Sequence, residues 1–196
     1  RERFAKLTGR DVLAQVKAGI ASVARAQGAR LKLNILLIRG FNDDEILDFI
    51  AFAEGHGMDV RFIEYFATSS RSTIFSNHVV ASSAVRAAIE ARYGALDFLG
   101  RDAMAGPAQY YRLPGASFKI GFISSVTEFF CGSCNRLRLT ADGRLYPCLH
   151  AASCVDLKEP LRRGDDAELR RRLAAVVASK KDFNKANCSR AFEMSA

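Results

Sequence analysis

The run richest in reactive side chains is Cys131-Gly132-Ser133-Cys134-Asn135-Arg136-Leu137-Arg138, closed later by Cys148. Its cysteines are spaced C-x2-C-x13-C. A CxxC pair can put two thiolates on one metal, and a returning hairpin can bring the third. Asp142-Gly143, between them, is a strong hairpin-turn signal. Pairing Thr140 with Arg144 sets Arg138 opposite Tyr146 and Arg136 opposite Cys148, so the turn carries Cys148 back to the CxxC loop. Alternate residues share a strand face, which puts Arg136 and Arg138 on one side about 7 Å apart. Two guanidinium forks side by side suit an anion such as phosphate. A structural zinc site normally takes four protein ligands, and Cys154 or His150 could complete one. An iron–sulfur cluster held by only three cysteines leaves one iron open to a small ligand. The spacing leaves both metals open.

The elements that must carry these residues are legible from periodicity. Thr8-Gly9-Arg10-Asp11 fits a capping box opening a helix through Val12, Leu13, Val16, Ile20 and Val23, with Gly28 as its stop. Residues 31–38 form an apolar, branched run that predicts a buried strand. Asn42 with Glu45 predicts the cap of a helix reaching about Glu54, and 59–65 is a second strand. One helix between two strands is a βαβ unit, hence parallel strands with a right-handed crossover. Residues 69–83 are polar and read as a loop, with Ser83 capping a helix to Gly94. Residues 117–124 predict a strand. Residues 136–140 and 144–149 predict the hairpin, and Asp165 with Glu168 opens a final helix that turns Leu169, Leu173, Val176 and Val177 inward. The style changes from α/β to a cysteine-bearing tail near residue 100.

Composition narrows the class. The chain has 196 residues, 49 % hydrophobic and 26 % charged, an ordinary globular balance. No apolar run approaches the roughly 18 residues of a membrane span, and the N-terminus does not read as a signal peptide. Five cysteines without a secretory leader favour metal binding over disulfides. The net charge of +8 fits an anionic partner. Ten basic and five acidic residues from Lys158 to Arg190 read as a solvated helix face. No aromatics interleave with them, which argues against a nucleic-acid groove.

Ile120-Gly121-Phe122-Ile123-Ser124 through Cys148-Leu149 resembles the C-terminal cluster motif of the GTP 3′,8-cyclase family. These are the radical S-adenosylmethionine enzymes that begin molybdenum cofactor (molybdopterin) synthesis. Leu7-Thr8-Gly9-Arg10-Asp11, Lys32-Leu33-Asn34, Arg39-Gly40-Phe41-Asn42-Asp43-Asp44-Glu45, Arg61-Phe62-Ile63-Glu64-Tyr65 and Tyr111-Arg112-Leu113-Pro114-Gly115 resemble further landmarks in the family's order. The resemblance covers nearly the whole chain. It implies an α/β fold: the later half of an incomplete (βα)6 TIM-like barrel over 1–100, then an Fe–S-binding α+β tail over 101–196. It implies Cys131, Cys134 and Cys148 as ligands of a [4Fe–4S] cluster with an open iron. Arg136, Arg138 and Lys32 would contact GTP, and Arg61 and Phe66 would lie near S-adenosylmethionine. The family commonly has Met at the position of Phe66, so a backbone contact survives there and a thioether contact does not.

The implied activity converts GTP to (8S)-3′,8-cyclo-7,8-dihydroguanosine 5′-triphosphate. The intact parent would use S-adenosylmethionine and a second [4Fe–4S] cluster in the cytoplasm, and a cyclic pyranopterin synthase would act on the product. The resemblance assigns no catalytic residue by itself. The family's C-x3-C-x2-C motif and its Gly-Gly end are absent from this sequence. Both departures fit a fragment, inactive alone, whose exposed strand edge invites pairing with a second copy. The reading from a different class is a zinc-ribbon-like nucleic-acid-binding module. His56 and His78 read as loop residues, Cys154 and Cys188 as thiols outside the site, and Tyr110 and Tyr111 as packing residues.

Overall fold

The computed structural model describes all residues except 27, 29, 67–77, 102–105, 129, 150 and 194–196; at 133 and 181–193 it describes the backbone alone. His150, most of the expected 69–83 loop and the Cys188 side chain therefore lie outside the described residues. The chain opens with α1 (Glu2–Thr8) and α2 (Leu13–Arg25), then β1 (Lys32–Leu37), α3 (Ile46–Gly55), β2 (Asp59–Glu64) and α4 (Ser82–Tyr93). β3 (Asp97–Arg101), β4 (Gln109–Arg112) and β5 (Ile120–Ile123) follow. A 3-10 turn (Cys131–Ser133) leads to β6 (Arg138–Leu139), β7 (Arg144–Tyr146), β8 (Val155–Asp156), α5 (Lys158–Arg163) and α6 (Asp166–Glu193).

Two predicted caps form differently. Thr8 ends α1 instead of opening α2: its hydroxyl donates to the Phe4 carbonyl at 2.8 Å, and Gly9 terminates the helix at φ 70°. Only glycine adopts that left-handed conformation without cost. Asn42 caps no helix. Its Oδ1 accepts from the Ile38 N–H at 2.8 Å and its Nδ2 donates to the Leu36 carbonyl at 3.0 Å, so it staples the end of β1. The cap of α4 is Ala81, two residues before the expected Ser83, and the helix stops at Gly94 as predicted.

The first sheet has the order β1-β2-β5-β4-β3. β1, β2 and β5 are parallel, so the predicted βαβ unit is present. β4 and then β3 extend the sheet as antiparallel strands that the sequence reading lacked. The result is a mixed α/β sheet. One sheet face carries Ile35, Leu37, Val60, Phe62, Ile120, Phe122 and Tyr111 into a core shared with Ile46, Ile50, Val85 and Ile89 of the helices. The Phe62 and Phe122 rings stack there at 6.0 Å. Burial of such side chains is worth roughly 1.5–3 kcal/mol each and fixes the strand register.

The described residues divide into two compact units, the first ending at Thr127 and the second starting at Glu128. β4 and β5, expected with the tail, hydrogen-bond into the first unit's sheet. The second unit holds the antiparallel sheet β6-β7-β8 and a small core of Leu145, Leu157 and Val176. α6 is capped as predicted, the Glu168 N–H donating to Asp165 Oδ1 at 3.0 Å. Of its expected inward residues Val176 is buried, but Leu173 and Val177 are exposed.

Candidate functional site

Two groups of side chains stand out, one in each unit. The first lies on the face of the large sheet opposite the core. The strand alternation that buries Ile35 and Leu37 turns Lys32 and Asn34 the other way. The same alternation in β2 turns Arg61 away from Val60 and Phe62. Register then sets Asn34 beside Arg61, and Arg61 Nε donates to Asn34 Oδ1 at 2.7 Å. Arg61 is half-buried, and Lys32 is exposed at the start of β1 on the same face. Phe66 is half-buried, two residues beyond the end of β2.

Continuing the row, Arg61 pairs with Gly121 of β5, and Gly121 with Tyr110 of β4. A Cβ at Gly121 would stand 2.8 Å from Arg61 Cγ and 3.1 Å from Tyr110 Cε1. The glycine therefore makes room for both side chains to cross it. This row escaped the sequence reading, although a glycine inside a strand was itself a signal of close approach.

The second group is the cysteine hairpin. Cys131 and Cys134 belong to one turn, where the Cys134 N–H donates to the Cys131 carbonyl at 3.1 Å. The hairpin forms in the expected register, with Arg138 opposite Tyr146 and the Thr140 N–H on the Arg144 carbonyl at 2.9 Å. The ladder covers only Arg138–Leu139, so Arg136 lies outside it and does not share a strand face with Arg138. Instead Arg136 sits over the Phe130 ring at 5.1 Å and bonds to Cys134. Arg138 is exposed.

Cys131, Cys134 and Cys148 are half-buried, whereas Cys154 is exposed. Burial raises the Cys134 thiol, but the Arg136 backbone N–H and guanidinium and the Lys180 ammonium outweigh it. The thiol is held below its ordinary value. Lys180 is another residue that sequence reasoning missed. A lysine in a basic helix reads as solvated, yet it is buried and its Nζ donates to the Pro147 carbonyl at 2.7 Å, beside Cys148. Thiols in such electropositive surroundings suit a metal or an iron–sulfur group in chemistry. Among the described residues, no three Cys, His, Asp or Glu side chains are gathered closely enough to hold one ion. The other histidines are tethered locally: His56 Nδ1 is 2.9 Å from the Phe52 carbonyl and His78 Nδ1 is 3.2 Å from the Arg39 carbonyl. No helix among the described residues is long and apolar enough to cross a membrane.

Known proteins resemble this chain in sequence. A protein of Peptoclostridium acidaminophilum named GTP 3',8-cyclase is 41 % identical over 167 residues, covering 84 % of this chain and 50 % of that protein. One of Pelotomaculum thermopropionicum with the same name is 41 % identical over 176 residues, covering 90 % and 53 %. A third, from Ectopseudomonas mendocina, is 40 % identical over 183 residues, covering 92 % and 55 %. This chain thus spans about half the length of the curated relatives it matches. Residues 58–186 match the family described as Molybdenum Cofactor Synthesis C. That span takes in Arg61, Gly121 and all three hairpin cysteines, and the chain belongs to the Molybdenum Cofactor Synthesis C family.

Proposed function

We propose that this chain is the nucleotide- and cluster-binding part of a GTP 3′,8-cyclase acting in molybdenum cofactor synthesis. The observation that carries the reading is the Arg61–Asn34 hydrogen bond at 2.7 Å, made beside Lys32 on the sheet face opposite the core. Nε is occupied by Asn34, so the arginine fork is fixed in direction and its terminal nitrogens can meet an anion. Lys32 adds a mobile positive charge to the same face. GTP and S-adenosylmethionine both carry anionic oxygens that such a face can orient. Phe66, at the end of β2, offers an apolar surface for the adenosine part of the latter.

In the second unit Cys131, Cys134 and Cys148 would hold a [4Fe–4S] cluster. When bound, the cluster supplies an open iron for a ligand atom, and S-adenosylmethionine supplies the hydrogen-abstracting radical of the family's reaction. Arg136 and the Lys180 charge lower the Cys134 thiol from its ordinary value, Lys180 fixes the Pro147 carbonyl beside Cys148, and the exposed Arg138 would meet a phosphate. In this reading the sheet reported above belongs to an incomplete barrel whose remaining strands lie in the half of the relatives that this chain does not span.

The test is anaerobic reconstitution with iron and sulfide, followed by metal and sulfide analysis and GTP titration. About four irons and four sulfides per chain are expected, with weaker GTP binding in Lys32→Ala and Arg138→Ala. One zinc, no sulfide and loss of the metal in Cys154→Ser would replace this reading with the zinc-ribbon-like nucleic-acid-binding module.

A further inference from the structure

Tyr110 is 5 % exposed, and its phenolic oxygen is buried without a hydrogen-bond partner among the described residues. Buried tyrosine hydroxyls normally find a partner. Its neighbour Tyr111 shows the ordinary outcome: Arg86 Nη1 donates to the Tyr111 hydroxyl at 2.6 Å. Tyr110 instead belongs to the row Asn34–Arg61–Gly121–Tyr110, where the missing side chain of Gly121 lets its ring and the Arg61 stem approach from either side. The Lys119 ammonium stands 5.8 Å from the centre of the same ring. An orphan donor, a directed guanidinium and a lysine thus share one face, and Asn34 is already engaged by Arg61.

We propose that Tyr110 is a ligand-positioning residue whose hydroxyl donates to an anionic oxygen bound beside Arg61. That oxygen belongs to a phosphate of a nucleoside triphosphate or to the carboxylate of S-adenosylmethionine. The inference rests on the nucleotide-binding reading above and extends it to a residue that the sequence reads as packing. Tyrosine suits the task because its ring is rigid and its hydroxyl donates without adding charge to an already cationic face.

The experiment compares the reconstituted chain with Tyr110→Phe, which removes only the oxygen. Calorimetric titrations use GTP, inorganic tripolyphosphate and S-adenosylmethionine, and thermal melts accompany them. Expected is an affinity loss of about tenfold for one ligand class, with an unchanged or higher melting midpoint. Weakening of both GTP and tripolyphosphate identifies phosphate; weakening of S-adenosylmethionine alone identifies the carboxylate. The loss should be smaller in an Arg61→Ala background if both residues grip the same oxygen. Unchanged affinities against a binding wild type would overturn the Tyr110 inference alone. A wild type that binds none of the three probes overturns the nucleotide reading and this inference together. A Tyr110→Phe chain that melts lower or fails to fold also overturns it, since an oxygen awaiting a ligand holds no part of the fold.

Discussion

Glu64 shows how a single side chain can organise a fold. It is buried at the end of β2 and accepts from the Ser82 N–H at 2.9 Å, the Ser82 hydroxyl at 3.0 Å and the Val126 and Thr127 N–H groups at 2.8 Å each. The Thr127 hydroxyl donates to it as well. One carboxylate thus ties β2 to the start of α4 and to the segment after β5. Glutamine at this position keeps the shape but turns an amide N–H toward those donors. Glu64→Gln is expected to lower the unfolding free energy by about 2–4 kcal/mol, read from the urea midpoint. An unchanged midpoint would show that ordered water can replace the anion.

At the scale of the element, the start of α6 makes a pH prediction. Glu168 bonds to Arg171 Nε at 2.7 Å and to Arg172 Nε at 2.6 Å, and these arginines lower its pKa from 4.5 to about 2. A folded value below the unfolded one gives a contribution fully present above about pH 4.5 and lost as pH falls toward 2. Glu168 also presents its negative charge to the helix N-terminus. The wild type is therefore expected to exceed Glu168→Gln in helical circular dichroism at pH 6. The gap should close progressively below pH 4.5 and vanish near pH 2. A gap independent of pH would mean that the ion pair contributes only through packing.

The whole molecule divides its apolar core unequally. Among the described residues, the first unit's core joins strands and helices through sixteen buried residues, and the second unit's holds Leu145, Leu157 and Val176. Small cores usually need a staple such as a metal. The proposed cluster would be that staple, since its ligands flank the hairpin and Lys180 of α6 holds the Pro147 carbonyl beside Cys148. Chelation of the metal is expected to raise amide exchange over 131–180 by at least about tenfold while leaving 32–64 within error, because local opening follows the stability of each unit. Equal loss of protection in both units would mean that the core of the first also depends on the metal.

Residue order alone dictated the parallel βαβ unit, the Asp142-Gly143 hairpin with Arg138 opposite Tyr146 and the Asp165 cap of α6. These rest on local periodicity, turn chemistry and spacing, which a chain carries in its residue order. Folding was needed to close one helix at Thr8 instead of opening the next, to make Asn42 staple a strand and to bring β3 and β4 into the first sheet. It alone turned Arg136 to Cys134, buried Lys180 and set Tyr110, Gly121 and Arg61 in one row. These depend on register between strands distant in sequence and on which surfaces are covered. A polar side chain's role follows from the partners that folding brings to it.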